Sequence, residues 1–208
     1  MHSPNCQICW GINRRLFLRA LIPGAIASIL QSVPPATAGN TATALVLSCI
    51  DFRFLEAERS FLALQNLTNH YDWTALAGAS LALNNFPQSA DTTTFWDQLD
   101  LSYQLHHIKK VVIIDHQDCG AYARQIDPLL SQNSDRERQV HRYYLSQAYW
   151  AICDRYPVNV ELYFVTLNGR VEPILPMAQS DRTLINILVT CPLNSLFLHS
   201  LNNHVAKF

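Results

Sequence analysis

Two short strings in this chain carry side chains that could bind a metal ion. Cys49-Ile50-Asp51-Phe52-Arg53 follows an apolar run of β type, and His116-Gln117-Asp118-Cys119-Gly120 follows another. Residues placed directly after parallel strands lie at the carboxyl edge of an open α/β sheet, where such folds keep their sites. Thiols, imidazole and carboxylate are the ligands that zinc prefers. The two strings therefore predict a zinc-type site at this edge.

Each of these residues also has an ordinary structural interpretation. A lone Cys49 would usually belong to the core, because cysteine is among the most buried residue types. A lone His116 at a strand end would usually be a hydrogen-bonding residue, and Asp51 with Arg53 could be only a local ion pair. The joint pattern, on matching strands, favours metal binding.

At these residues the chain resembles the β-class carbonic anhydrases. That family is marked by Cys-x-Asp-x-Arg after its first sheet strand and by His-x-x-Cys, often followed by Gly, after a later one. The resemblance covers roughly residues 43 to 175. It implies that Cys49, His116 and Cys119 bind Zn²⁺, that Asp51 and Arg53 form a catalytic carboxylate–guanidinium dyad, and that the reaction is the reversible hydration of CO2 to bicarbonate.

The chemistry of such a site is consistent with that reaction. Two thiolates and one imidazole leave zinc one open tetrahedral position. Water there has its pKa lowered towards about 7, which provides a zinc-bound hydroxide that can attack CO2. Asp51 would accept a hydrogen bond from that hydroxide, and Arg53 would hold Asp51 ionised as a bidentate partner. In some family members the Asp moves onto the metal instead.

The chain departs from the family at two places, and these leave alternatives open. Leu76-Ala77-Gly78-Ala79-Ser80 stands where members usually carry an Arg-Asn-Ala-Gly-like string, and residues 39–48 lack the Gln that often helps to orient bicarbonate. One alternative is a hydrolase of a related substrate, carbon disulfide or carbonyl sulfide, on the same scaffold. Another is a non-catalytic zinc- or bicarbonate-binding protein.

Residues 1–38 have the pattern of an export signal. Asn13-Arg14-Arg15-Leu16-Phe17-Leu18-Arg19 is close to the twin-arginine pattern, an apolar stretch runs to Val33, and Ala36-Thr37-Ala38 offers a cleavage site before Gly39. We expect an exported protein in the periplasm or thylakoid lumen. The apolar run is short for a membrane span, so none is expected after cleavage. The alternatives are an uncleaved anchor or a basic amphipathic start of the chain.

Composition limits the partners. The net charge is −1, which gives no electrostatic case for nucleic acid. Charged residues make up 15% of the chain, against about 25% in ordinary soluble domains. That low share is compatible with buried subunit contacts, and the resemblance implies a homodimer or a higher homo-oligomer. The small-molecule partners would be CO2 and bicarbonate.

The pattern along the chain predicts an α/β fold, with an open, mostly parallel β-sheet core flanked by helices. Residues 39–180 would form the zinc-binding domain, and residues 181–208 a C-terminal segment of uncertain structure. Strands are predicted at 44–50, 73–76, 111–115, 158–167 and 170–174. Helices are predicted at 54–67, 93–108, 121–126 and 135–156.

Several side chains have predicted positions on these elements. Asp91 or Thr92 would cap the helix that begins at Thr93. Glu58 would lie on the solvent side of the first helix, and His141 on the surface of the last. Cys6 and Cys9 are expected to have no functional role. Cys153 is expected to belong to the core, with a Cys153–Cys191 disulfide as the alternative. His199 and His204 are not expected to be metal ligands.

Overall fold

The computed structural model describes residues 41–178, which contain one five-stranded sheet. Its strands lie in the order β2-β1-β3-β4-β5, and only β5 runs antiparallel to its neighbour. Their bounds are β1 Ala44–Ser48, β2 Tyr71–Ala75, β3 Lys110–His116, β4 Asn159–Val165 and β5 Val171–Pro173. The predicted class, an open and mostly parallel sheet with flanking helices, is confirmed.

Four α-helices connect the strands in this part of the chain. They are α1 Leu55–Leu64, α2 Ser89–Leu105, α3 Gly120–Gln125 and α4 Ser134–Cys153, with short 3₁₀ helices at Phe52–Phe54, Ala79–Asn84 and Leu130–Gln132. Capping explains where the longest of them begins. The Asn133 side chain accepts the Arg136 N–H, which satisfies one of the amide protons that the first turn of α4 leaves free.

The core is divided by the sheet into two layers. Successive side chains of a strand point to opposite faces, so Val111 and Ile113 of β3 pack on one side, whereas Val112 and Ile114 pack on the other. The first layer includes buried residues of α2 and α4, and the second includes Leu62 of α1. Because both faces are covered, β3 is apolar at consecutive positions rather than alternating.

The start of α2 differs from the prediction. The helix begins at Ser89, four residues before Thr93, and its N-cap is Gln88, which makes no capping hydrogen bond through its side chain. Thr92 is instead inside the first turns, where its Oγ1 accepts the Asn85 N–H and donates to the Ala82 carbonyl. The hydroxyl thus ties α2 to the preceding 3₁₀ segment, a tertiary use that the local pattern does not reveal.

Two polar residues predicted at the surface are buried. Glu58 is 2% exposed because it follows Phe54 by four residues and shares the helix face that packs on the sheet. His141 is 1% exposed because α4 presents this position to a polar cluster at the end of β3. The predicted solvent positions of Glu58 and His141 are therefore wrong.

Several expectations fall outside residues 41–178. These include the export signal and its cleavage site, residues 181–208, Cys191, His199 and His204. Cys153 is a half-buried free thiol packed against the first core layer. Within the described range, none of the helices is long and apolar enough to cross a membrane.

Candidate metal centre

Three donor side chains meet at the carboxyl ends of two neighbouring strands. Cys49 directly follows β1, His116 ends β3, and Cys119 precedes α3. Since β1 and β3 are parallel and hydrogen-bonded, both strand ends lie at one sheet edge. One atom from each side chain lies within 4.8 Å of the others, and the two Sγ atoms are 4.0 Å apart. This cluster could hold a metal ion.

The ring of His116 has one nitrogen free for that role. Its Nδ1 lies 2.9 Å from the Gln117 carbonyl, which can only accept, so Nδ1 carries the proton. Its Nε2 is buried and has no hydrogen-bond partner. Phe54 stacks on the ring at 4.3 Å between centroids and fixes its plane. A buried, unpartnered ring nitrogen next to two sulfurs suits a metal ligand.

The two thiols differ in acidity. A hydrogen bond from the Cys119 thiol lowers the pKa of Cys49 to about 4; burial opposes the shift, and His116 and the Gly78 N–H assist it. The same pairing, together with burial, raises the pKa of Cys119. Burial also opposes a charge on His116, but the Cys49 sulfur, the Gln117 carbonyl and Asp51 together outweigh it and raise the pKa of the imidazole. A metal ion must therefore displace protons when it binds.

Asp51 and Arg53 form a bidentate pair beside the cluster. Arg53 Nε lies 3.0 and 3.1 Å from the two Asp51 carboxylate oxygens, and Nη2 lies 2.7 Å from Oδ2. These hydrogen bonds lower the pKa of Asp51, which keeps it ionised. Asp51 Oδ2 is also 3.9 Å from His116 Nε2, so the carboxylate borders the space that a metal would occupy.

The turn between His116 and Cys119 is held by contacts that the sequence pattern did not reveal. Asp118 has a φ of +56° and donates its N–H to Glu137 of α4 at 2.6 Å. Its side chain and carbonyl each accept from Arg53 at 2.9 Å. Gln117 accepts the Leu167 N–H from the loop after β4. These contacts fix the backbone that carries both ligands.

The small-residue loop after β2 approaches the cluster closely. Gly78 has a φ of +81°, and its N–H donates to Cys49 Sγ at 3.3 Å. A Cβ at Gly78 would lie 3.0 Å from Leu81 Cβ and 3.1 Å from Ala121 Cβ. The position therefore requires glycine for both its conformation and its clearance. The loop supports the first sulfur without the Asn of the family string.

A second polar cluster lies immediately behind the ligands. Asp115 is 1% exposed, and its Oδ1 accepts the Ser80 N–H at 3.0 Å. Its Oδ2 accepts from the Ser80 hydroxyl at 2.7 Å and from the Tyr122 hydroxyl at 2.8 Å, and lies 2.8 Å from His141 Nδ1. Burial raises the pKa of Tyr122, so its hydroxyl stays protonated and able to donate. We call these four residues the Asp115 cluster.

The Asp115 cluster connects the parts that carry the ligands. Asp115 adjoins His116, Tyr122 lies on the helix that follows Cys119, and Ser80 belongs to the loop that contacts Cys49. A single carboxylate thus fixes three backbone segments relative to one another. The one sequence signal was an Asp at the end of an otherwise apolar β-branched run.

A cleft of about 480 Å³ opens over the ligands. Asp51, Arg53, Cys49 and Cys119 line it together with Arg124 of α3. Most of the remaining lining is apolar: Ile50, Phe52, Ala77, Phe86, Pro87 and Ala121. A small neutral molecule could reach the cluster along this wall.

Comparison with known proteins agrees with this arrangement. A family model described as "Putative carbonic anhydrase" matches residues 39–175. The chain belongs to this family. An uncharacterized protein of Rickettsia bellii is 30% identical over 143 residues, 68% of this chain and 87% of its own. One of Rickettsia conorii is 33% identical over 141 residues, 65% and 73% of the two chains.

Solved structures are similar in fold to this carbonic anhydrase family member. The β-carbonic anhydrase CafA of Aspergillus fumigatus has a TM-score of 0.48 at 12% identity, over 74% of this chain and 86% of its own. The apo form of a carbon disulfide hydrolase has a TM-score of 0.40 at 14% identity, over 76% and 87%. At such identities the likeness concerns the fold alone.

The five site residues predicted from sequence lie at this one edge of the sheet: Cys49, Asp51, Arg53, His116 and Cys119. Their ligand and catalytic roles stay predictions. Residues around them that the sequence analysis missed are Glu58, Asp115, Asp118, Glu137 and His141. Asp115, Asp118, Glu137 and His141 each contact a residue distant in sequence, which a local motif does not record.

Proposed function

We propose that this protein is a zinc-dependent carbonic anhydrase that reversibly hydrates CO2 to bicarbonate. The observation that carries the proposal is the buried convergence of Cys49, His116 and Cys119 beside an ionised Asp51–Arg53 pair. Family membership supports the same conclusion.

The donor set fits zinc. Two sulfurs and one ring nitrogen are borderline-soft ligands typical of Zn²⁺, and three protein ligands leave a fourth position open. The unpartnered His116 Nε2 and the adjacent sulfurs would hold the ion. When bound, zinc would lower the pKa of a coordinated water so that it can act as a nucleophile near neutral pH.

Asp51 would orient the attacking water. It is ionised and therefore only accepts hydrogen bonds, and one oxygen lies 3.9 Å from His116 Nε2. Arg53 would keep the carboxylate at this position, since three of its N–H···O contacts go to Asp51. Asp118 in turn holds the guanidinium through its side chain and its carbonyl.

The cleft suits a neutral substrate. Side chains such as Ile50, Phe86 and Pro87 line it, and they offer no hydrogen bonds that a bound water would have to give up. CO2 can therefore enter at little desolvation cost. Carbon disulfide and carbonyl sulfide are also small and neutral and could enter in the same way. Both are therefore included in the test.

The test is zinc content together with stopped-flow CO2 hydration by the full chain. We expect one zinc per chain and turnover, and we expect Cys119→Ser to lose both. Cys153→Ser is the matched control, because Cys153 is a free thiol outside the cleft lining, and it should retain zinc and turnover.

Other outcomes would replace the proposal. Turnover of carbon disulfide or carbonyl sulfide without CO2 hydration would assign a related hydrolase. One bound zinc with no turnover of any of the three substrates would assign a binding role. Zinc retained by Cys119→Ser would contradict the ligand set.

We also propose that the enzyme is exported from the cytoplasm and forms a homo-oligomer. The twin-arginine-type pattern at Arg14 and Arg15 supports export, and folding around zinc first would protect its thiols from oxidation. Fractionation should find a shortened chain in the periplasm or lumen, and light scattering should find at least a dimer. A full-length cytosolic chain, or a monomer, would contradict the respective part.

A further inference from the structure

The cleft over the ligands contains two arginines whose surroundings differ. Arg53 is fully committed: Nε and Nη2 bond the Asp51 carboxylate, and Nη1 bonds Asp118 Oδ2. Its Nη2 also donates to the Asp118 carbonyl. No nitrogen of this guanidinium is left without a protein acceptor, so Arg53 has little capacity for a ligand.

Arg124 differs in that no partner for it is found among the described residues. It lies in the last turn of α3, five residues after Cys119, and its side chain is exposed. Among residues 41–178 it has no hydrogen-bond acceptor and no acidic partner. It nevertheless lines the same cleft as Cys119 and Asp51. A guanidinium carries five N–H donors, and this one belongs to a residue that borders the same space as the ligand cluster.

The distribution of charge around the cleft leaves Arg124 as the cation available to an anion. Arg53 is shared between the carboxylates Asp51 and Asp118, whereas most of the remaining lining is apolar. An anion in the cleft would find no other cation without a partner on the described wall. Arg124 would then supply both the opposite charge and a planar pair of donors.

We propose that Arg124 binds the bicarbonate ion, the charged side of the reaction, and thereby distinguishes it from neutral CO2. This rests on the proposed function, because it names a further residue for the same site. Bicarbonate offers two oxygens in one plane, and the guanidinium fork matches that geometry. CO2 has no charge and gains little from the same contact. Arg124 is thus a residue for anion affinity rather than for zinc binding.

The test compares three variants of the zinc-loaded full chain. Arg124→Gln removes the charge, Arg124→Lys keeps it without the fork, and Arg59→Gln removes an exposed helical arginine that does not line the cleft. Bicarbonate affinity is measured by isothermal titration calorimetry. Competition by added bicarbonate is measured in the CO2 hydration assay, and zinc content is checked in each protein.

We expect Arg124→Gln to weaken bicarbonate binding about tenfold, the scale of one partly exposed charge-assisted contact. Arg124→Lys should lose less, and Arg59→Gln should bind like the wild type. Zinc content should not change. Equal bicarbonate affinity in Arg124→Gln and Arg59→Gln would overturn the inference, as would a wild-type chain that binds no bicarbonate.

Failure of the proposed function gives a different result. A wild-type chain that binds bicarbonate through Arg124 but does not hydrate CO2 would leave this inference standing and contradict the enzyme. A chain that hydrates CO2 with unchanged bicarbonate affinity in Arg124→Gln would do the reverse. The calorimetric arm does not depend on turnover, so the two proposals are separated by the same set of proteins.

Discussion

Two aspartates flank the candidate metal centre and differ in almost every physical respect. Asp51 lies at the cleft, half-buried, and its main partner Arg53 is two residues away in the chain. Asp115 is 1% exposed, and its partners Ser80, Tyr122 and His141 come from three separate elements. One carboxylate faces the reaction space, and the other supports the backbone behind it.

This difference suggests that Asp51 serves the reaction, whereas Asp115 stabilises the fold around the site. A partly exposed carboxylate whose main partner is also partly exposed can be replaced at little cost to the fold. A buried carboxylate with four contacts cannot, since its removal leaves several buried donors without acceptors. We therefore expect substitutions at the two positions to separate loss of turnover from loss of stability.

The largest expected effect is that of Asp115→Ala on stability. The substitution leaves the Ser80 N–H and His141 Nδ1 unpaired in the core, although Tyr122 keeps its 2.9 Å contact with Ser80 Oγ. We expect a loss of about 3–5 kcal/mol in the free energy of unfolding, measured by urea titration. Asp51→Ala is the control and should cost less than about 1 kcal/mol. Equal losses at both positions would contradict the distinction.

The fold was largely predictable, and for a physical reason. Strands β1 and β3 are buried on both faces, so each is recognisable in the sequence as a continuous apolar run. The turn residues that flank these runs restrict the number of possible strand arrangements. Strand β2 lies at the sheet edge and its first residues are only partly buried. Its predicted start was accordingly two residues late, at Trp73 rather than Tyr71.

The sequence predicted the residues that stand in the two short motifs, but not the long-range contacts that hold those residues in place. Asp51 and Arg53 are two residues apart, so a motif records both. Glu137 and Asp118 are 19 residues apart, and His141 and Asp115 are 26 apart. A polar residue on a helix is normally assigned to solvent, and only the packed structure shows that these helix positions face a buried acceptor or donor.

The second largest effect is expected for Asp51→Asn, on the rate of turnover. Asp51→Asn keeps the size of the side chain but removes the charge that orients the attacking water and pairs with Arg53. We expect kcat for CO2 hydration to fall about a hundredfold with zinc content unchanged. Asp127→Asn is the matched control, because Asp127 also pairs with an arginine, Arg136, but does not line the cleft. Full activity in Asp51→Asn would exclude the proposed role.

The third prediction concerns the buried carboxyl of Glu58 on α1. Burial raises the pKa of Glu58 from 4.5 to about 7, and its Oε1 has no partner. The folded state thus binds this proton more tightly than the unfolded state. The contribution of the protonated Glu58 to the free energy of unfolding is fully present below pH 4.5 and is lost as the pH rises through 7. The stability of the protein therefore falls between these two pH values.

Glu58→Gln should remove that pH dependence. We expect the variant to be more stable than the wild type by about 2–3 kcal/mol at pH 8 and indistinguishable near pH 4.5, by urea unfolding at each pH. Glu56→Gln, at an exposed position of the same helix, should change stability at neither pH. A Glu58→Gln variant that is destabilised at pH 8 would show that the charged form makes a favourable contact.

The smallest effect is expected at Asp118, which holds Arg53 of the Asp51–Arg53 pair from the outer side. Asp118 Oδ2 bonds Arg53 at 2.9 Å, but both side chains are more than one-third exposed, at 45% and 38%. Asparagine tolerates the φ of +56° at this position, so Asp118→Asn keeps the turn that carries His116 and Cys119. Arg53 would retain the Asp51 carboxylate and the Asp118 carbonyl. We expect less than about 1 kcal/mol of stability and only a few-fold of kcat to be lost. A loss of kcat as large as that of Asp51→Asn would mean that Asp118 belongs with the groups that act on the substrate rather than with those that hold Arg53.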